Sequence, residues 1–424
     1  MLPFGVTSRL PLLLPALFLA AVTACGADTN NPPGTAGSSG VAGTAGGGSG
    51  GAMSGGAGLA GGGVAGGGAG AGGATTGGGG VGGTGGTGGA VDPMPTLLSQ
   101  TGLYADIKAK TLATDVHTFT PAYALWSDGA VKHRFVYMPP GGKILTDDME
   151  FWQYPGGFKL WKDFSRDGKL IETRLLQKIS SGRADWYMVA FKWKDDYSDA
   201  VAVPAGEMNA MGTMHDIPSK DDCKGCHSSM NDYALGFSAM QLSHSLPDSL
   251  NLTQIDQMGW LSTPIQAGGY PLPGTEVEKS ALGYLHSNCG MCHNVKGQVF
   301  KTKAGLDLWT HLQPAQLASV QATSAYLSMV CDQWPGPNGE SDKFMPITAC
   351  EAGHAKGAKM VTDISKLTRV APANPTNSGI HDLMSLRATG MVGEMKQMPP
   401  LGSEIPDPTG IGLVDAWINA LPAQ

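Results

Sequence analysis

Apolar and polar positions along the chain follow two different periods. Between residues 95 and about 213 they alternate or form short runs broken by turn residues. RFVYM (134–138) meets PPGG (139–142), and EFWQYPGGFKLWKDFS, KLIETRLLQKI and ADWYMVAFKWKDDYSDAVAV follow. In the last run Tyr187, Val189, Phe191 and Trp193 fall on one face of a predicted strand. Ser165-Arg166-Asp167-Gly168 and Lys194-Asp195-Asp196 supply turns. An antiparallel sandwich or barrel is the expected architecture here.

Elsewhere the period is helical. Thr275-Glu276-Val277-Glu278 is a capping box that opens a helix running into Cys289, with Val277, Ala281, Leu282 and Leu285 on one face. Ile411, Val414, Ile418 and Leu421 form a second stripe, with Trp417 beside it. Ser219 is an N-cap for a short helix from Lys220. The expected fold class is α+β and multidomain: an antiparallel β-rich domain, then a mainly helical region.

The N-terminus changes the picture first. Arg9 precedes an apolar run from Leu10 to Ala21, too short to span a bilayer, and small residues lead into Val22-Thr23-Ala24-Cys25. Residues 1–24 are expected to be a signal peptide whose end resembles the lipobox of bacterial lipoproteins, with lipid on Cys25. An ordinary signal peptide with a chance cysteine is the alternative. Gly26, with no acidic neighbour, favours the outer membrane by the usual sorting rule. The expected location is therefore exported and lipid-anchored, facing the periplasm or the cell surface. No charged residue falls between Asp28 and Asp92, and residues 34–90 are mostly Gly with Ala, Thr and Ser. Such a segment buries too little to offset its backbone entropy. Residues 25–91 are expected to be a disordered tether, since about 60 Gly-rich residues span roughly 40 Å on average. Irregular glycine spacing without proline excludes collagen.

Residues 92–424 remain for folding, divided as 92–213 (β-rich), 214–270 (around the first motif described below) and 271–424 (helical). The net charge is -7 with no Lys/Arg-rich patch, which argues against a nucleic-acid partner. Five of the nine tryptophans, Trp126, Trp152, Trp161, Trp186 and Trp193, lie in the β-rich part. A packed core is the expected role, ahead of a sugar-binding face.

The candidate chemistry lies in the cysteines. Of seven, four sit in two Cys-x-x-Cys-His motifs, DDCKGCHS (221–228) and SNCGMCHN (287–294), with 61 residues between His227 and Cys289. A zinc ribbon needs its pairs about 15–20 residues apart and gives no reason for the histidines. A thioredoxin-like motif needs a βαβ setting, and two copies in one such chain strain that reading. Haem attachment explains every position: two thiols for the haem vinyl groups, then an imidazole for the iron. Cys223 and Cys226 with His227, and Cys289 and Cys292 with His293, are thus expected to hold two covalently bound haems c. Cys331 and Cys350, the remaining pair, flank CDQWPGPNGESDKFMPITAC and are expected to close a disulfide. That both stay free and buried is equally open.

Around the second motif the helix into Cys289, the segment GEMKQMPPLGSE (393–404) and the C-terminal helix resemble a class I cytochrome c domain. That resemblance implies His293 as proximal ligand and Met398 as distal ligand, ahead of Met391 and Met395. The first motif has no comparable Met-Pro element. Its sixth-ligand candidates are His215, Met214, Met230, Met240 and His244, with His215 and Met240 preferred.

GLYADI (102–107), ALWSDGAVKHRF (124–135), IETRLL (171–176), CKGCH and ALGYLHSNCGMCHN (281–294) are together similar to a family of bacterial exported dihaem c-type cytochromes. The resemblance covers most of residues 97–424. Met291 stands where many of that family carry His, inside the x-x pair, where attachment is unaffected. The resemblance implies the cofactor more than an activity. The expected function is single-electron transfer between redox partner proteins, since His293 with Met398 leaves no open position at the second iron, and the tether would reach both partners from a lipid membrane. Two rivals stand beside it: a peroxidase-type enzyme with an open position at the first haem, and a binding module whose β-rich part captures a substrate or partner.

Overall fold

Four neighbouring strands carry Phe135, Trp161, Leu175 and Val189 in one cross-strand row, and Val136, Leu160, Leu176 and Met188 in the next. Successive side chains of a strand point to opposite faces. The two rows therefore line opposite faces, and both faces need cover. The chain is described by a computed structural model over residues 94–297, 306–330, 369–387, 397–400 and 402–422. The expected signal peptide, Cys25, the tether, Cys331, Cys350, Met391 and Met395 lie outside the described residues.

A short pair, β1 (Tyr104–Asp106) and β2 (Thr111–Leu112), precedes a six-stranded antiparallel sheet. That sheet runs as a meander through β3 (Val116–Phe119), β4 (Val131–Tyr137), β5 (Lys159–Arg166), β6 (Lys169–Lys178), β7 (Trp186–Trp193) and β8 (Ala200–Ala202). Its edges are β3 and β8, so the sheet is open where a sandwich or barrel was expected. Strands supply little of the second layer. Leu98, Leu103 and the β1–β2 segment cover one face around Trp161 and Trp193, while helices and loops cover the other. The β5–β6 turn is as tight as its sequence suggests: Asp167 and Gly168 both take positive φ (51° and 73°), the geometry of a two-residue hairpin. Tyr187, Val189, Phe191 and Trp193 do share a face. Trp152, Trp161, Trp186 and Trp193 are buried, so the tryptophans serve the core.

Among the described residues seven short helices follow the sheet: α1 (Lys220–His227), α2 (Ala239–Leu242), α3 (Leu252–Gln257), α4 (Glu276–Asn288), α5 (Ser324–Met329), α6 (Gly379–Ser385) and α7 (Pro408–Ala420). The overall class among the described residues is α+β. Thr275 caps α4 through its hydroxyl and Glu278, and Asp407 with Pro408 starts α7. Ala281, Leu282 and Leu285 of α4 pack against α7, which buries Val414, Trp417 and Ile418. Val277 departs from its expected face and is exposed, because it sits in the first turn, short of the crossing. One apolar cluster joins Val136, Leu160 and Met188 of the sheet to Leu282, Leu285 and Trp417 of the helices. Among the described residues no helix is long and apolar enough to cross a membrane.

Candidate functional site

Helix α1 presents the first motif. Ser219 accepts from the Asp222 N–H at 3.2 Å, and the Asp222 carboxylate takes the Ser219 N–H at 3.0 Å, fixing the first turn. Cys223, Cys226 and His227 stand at i, i+3 and i+4, on one side of that helix. The Nδ1–H of His227 donates to the Tyr233 carbonyl at 2.5 Å. A carbonyl can only accept, so the proton is on Nδ1 and Nε2 is left with its lone pair. This is the arrangement of a metal-ligating histidine, whose second nitrogen is oriented by a carbonyl or carboxylate.

The turn behind that carbonyl is well held. Tyr233 adopts the left-handed region with φ 60°, unusual for a bulky residue. Its neighbour Asp232 accepts from the Tyr154 N–H at 2.7 Å and Trp186 Nε1 at 2.9 Å, and pairs with the buried Lys178 ammonium. Burial lowers the His227 pKa to about 4 against the pull of the Tyr233 carbonyl, with Lys162 and Arg174 lowering it further. His227, Cys226, Lys162 and Arg174 are each partly exposed.

The second motif follows directly from α4. Its turn continues with the N–H groups of Cys292 and His293 both donating to the Cys289 carbonyl, at 3.0 and 2.9 Å. Gly290 is required there: a Cβ would lie 2.7 Å from the His286 carbonyl oxygen and 2.8 Å from that of Leu308. The Leu308 N–H donates to the His293 carbonyl at 2.8 Å. Burial lowers the His293 pKa to about 4, with Arg369 adding to it. Its Nδ1 is buried with no partner among the described residues, as are His286 Nε2, Trp309 Nε1 and Trp417 Nε1. His286 Nδ1 accepts from the Thr310 N–H at 3.1 Å, so its Nε2 carries the proton and is an unmatched donor.

The two motifs meet. Met230 packs with Trp309, and Met291 from inside the second motif joins the same cluster. Each of the four thiols is free, and burial raises the pKa of each, that of Cys289 to about 12. A reactive redox thiol needs the opposite shift. Among the described residues no group of three or more His, Cys, Asp or Glu side chains is arranged to hold a metal ion, so the thiols do not converge as a zinc site would require. The four thiols are thus free, and the Nε2 of His227 carries no proton.

The sixth-ligand candidates are placed variously. Met398 is half-buried, and its N–H donates to the Leu383 carbonyl at 2.7 Å. The segment after it is tied to the β-rich part: Asp128 accepts from the N–H groups of Glu404 and Ile405 at 3.0 and 2.9 Å, and Trp126 Nε1 donates to the Ile405 carbonyl at 3.0 Å. The residues of ALWSDGA are thus the clamp on this loop. His215 is buried with Nε2 2.7 Å from the Glu172 carboxylate. Met240 is buried in the main apolar cluster, Met230 lies in the cluster beside Trp309, and Met214 is exposed. His244 Nδ1 accepts from the Leu246 N–H at 3.1 Å.

Three features have no counterpart in the sequence reading. The first is the Asp232 clamp. The second is a buried trio in which His311 bonds Glu150 at 2.7 Å and Asp307 at 2.8 Å. The third is a row of cations across the sheet, Arg134, Lys162 and Arg174, directly paired strand to strand. Polar residues at inward positions of strands whose neighbours are apolar were the available signal for that row. No family model, curated protein or solved structure matches the chain.

Proposed function

We propose that the chain is a dihaem c-type cytochrome that passes single electrons between partner proteins. In this reading lipid on Cys25 anchors it, at the outer membrane, and the Gly-rich segment gives it reach. The observation that carries the reading is the meeting of the two motifs: Met230, three residues past His227, packs in one cluster with Met291 of the second motif and Val295 just after it, although 61 residues separate His227 from Cys289. Two isolated thiol pairs would have no reason to be packed together, whereas an electron relay needs its centres close.

Haem held at each motif supplies a one-electron Fe(III)/Fe(II) couple. The protein's part is to hold and tune it. Cys223 and Cys226 fix one edge of the group, and Tyr233 keeps His227 turned with Nε2 outward. Cys289, Cys292 and His293 do the same at the end of α4. The packing of α4 against α7 supports a class I cytochrome c-like arrangement for residues 271–424. There Met398 is the distal ligand, a soft thioether that favours the reduced iron and raises the potential.

A second reading has one observation in its favour. Met240 is packed in the core and the Nε2 of His215 is engaged by Glu172, so neither preferred sixth ligand is free to turn to the first motif unchanged. An open iron position there would bind a small molecule, as a peroxidase-type enzyme does. Carbon monoxide or cyanide binding to the purified protein separates the two readings.

The test of the main reading is a pyridine haemochrome assay on protein made with c-type maturation machinery, normalised to polypeptide. Two haems per chain are expected. None, beside a working maturation control, would overturn it.

A further inference from the structure

The cation row of the sheet faces the first motif and has too few anions. Arg134, Lys162 and Arg174 are paired in register across β4, β5 and β6. Lys132 lies two residues from Arg134, on the same face of the sheet, where its ammonium donates to the Leu125 carbonyl and has the Asp128 and Asp407 carboxylates within reach, so the unmatched charge is that of Arg134. Among the described residues the one carboxylate acting on Lys162 is Glu172, against three cations, Arg134, Arg174 and Lys132. Glu172 is already engaged by Arg174 and His215. Arg134 is buried, and its Nε has no partner among the described residues. A buried charge without a counter-charge is costly, and proteins keep one where something arrives to neutralise it.

The order of the row indicates what arrives. Helix α1, which carries Cys223, Cys226 and His227, packs on β7, and Arg174 of β6 lies opposite Ala190 of β7, so Arg174 is the cation nearest α1. Lys162 on β5 and then Arg134 on β4 lie successively further out, with about 5 Å between neighbouring strands. The row therefore leads away from the first motif to Arg134 and Lys132. A haem attached through its vinyl groups carries its two propionate carboxylates on the opposite edge. We propose that Arg134, with Lys132 on the same face beside it, binds the propionates of the first haem, so that the β-sheet backs that group. Arg134 and Lys132 are positioning residues in this scheme. The fork of the guanidinium suits a carboxylate, and its free Nε–H is the donor that such a partner would take.

The proposal rests on the dihaem reading, and its test keeps the two apart. The protein would be the full dihaem chain with Arg134→Met or Lys132→Gln, compared with Arg134→Lys. Haem per chain is measured first, then both midpoint potentials. The centre belonging to the first motif is the one lost in the Cys223→Ser, Cys226→Ser chain. Loss of the cation leaves the propionate charge to favour ferric iron, so Arg134→Met is expected to lower that potential alone, with Arg134→Lys restoring most of it. Two haems with both potentials unchanged would overturn the proposal and leave the dihaem reading standing. An unaltered chain without haem at the first motif would overturn both. Thermal unfolding gives a second readout, because the role of Arg134 depends on its partner. Arg134→Met should stabilise the chain that lacks the first haem and destabilise the dihaem chain. The same sign in both backgrounds counts against it.

Discussion

Gly410 of α7 meets the ring of Tyr284 of α4 so closely that a Cβ on the glycine would fall 2.1 Å from the phenol carbon. The two helices cross at this contact, and the charge of Asp407 at the start of α7 acts on the same tyrosine. Gly410→Ala must displace a ring held at its far end. A loss of about 1–3 kcal/mol is expected from such overpacking. Gly412, two residues on, is exposed and has nothing within 4 Å of its would-be Cβ. Gly412→Ala should therefore stabilise by about 0.5–1 kcal/mol through backbone entropy alone. Urea midpoints of the two variants should move in opposite directions. Equal effects would mean that the crossing is looser than the contact implies.

On the dihaem reading, Met398→Ala is expected to keep both haems attached, lower the potential of one centre, and let about one equivalent of carbon monoxide bind there. Asp128→Ala tests the clamp on the same loop. It removes the charged acceptor for the Glu404 and Ile405 N–H groups, at a cost of about 1.5–3 kcal/mol in all, since the exposed Glu404 N–H can turn to water. Partial carbon monoxide binding at the same centre should appear, although residue 128 is in the β-rich part. Unchanged potentials in Met398→Ala would remove Met398 as the ligand.

The trio of Glu150, His311 and Asp307 gives the protein a pH dependence of its own. Burial alone would lower the His311 pKa, but hydrogen bonds to Asp307 and Glu150 and their charges outweigh it and raise it to about 10. A raised histidine pKa contributes stability in full below its unfolded value, about 6.5. That contribution is lost as pH rises through the folded value. Burial also raises the Asp307 carboxyl, so the trio loses charge on the acid side as well. The melting temperature of the unaltered chain should fall between about pH 7 and 10. His311→Gln leaves two buried carboxylates without their cation, and should cost about 3–5 kcal/mol near neutral pH. A flat alkaline limb in the unaltered chain would show that His311 is neutral.

Local features of the fold were legible in the sequence. Ser219 and Thr275 cap the helices their spacing indicates, Asp167-Gly168 turns the hairpin, and Tyr187 to Trp193 alternate as read. Each of these depends on neighbours within a few residues. The sheet's open form was not legible, because whether strands or helices cover a doubly apolar sheet is decided by distant segments. The cation row shows the same limit. Arg134, Lys162 and Arg174 look like ordinary polar positions until the register of three strands places them side by side. At the site, both motifs could be read from five residues each, while the partners that orient them could not.

Asp232 is the most consequential of those partners. It pairs with Lys178, 54 residues earlier in the chain, and both are buried. Its carboxylate also receives the Tyr154 N–H and Trp186 Nε1, so four groups meet at one point. The next residue, Tyr233, supplies the carbonyl that fixes the His227 proton on Nδ1. Asp232→Ala strands a buried ammonium, which should cost about 3–5 kcal/mol. It should also release the Tyr233 turn, and with it the orientation of His227. On the dihaem reading the first centre would then change potential and lose spectral homogeneity while its thioether links stay intact. Lys178→Met with Asp232→Leu removes both charges and should recover most of the stability. It cannot restore the hydrogen bonds to Tyr154 and Trp186, so the His227 effect should persist. A double variant that recovers the first centre together with stability would assign Asp232 to packing alone.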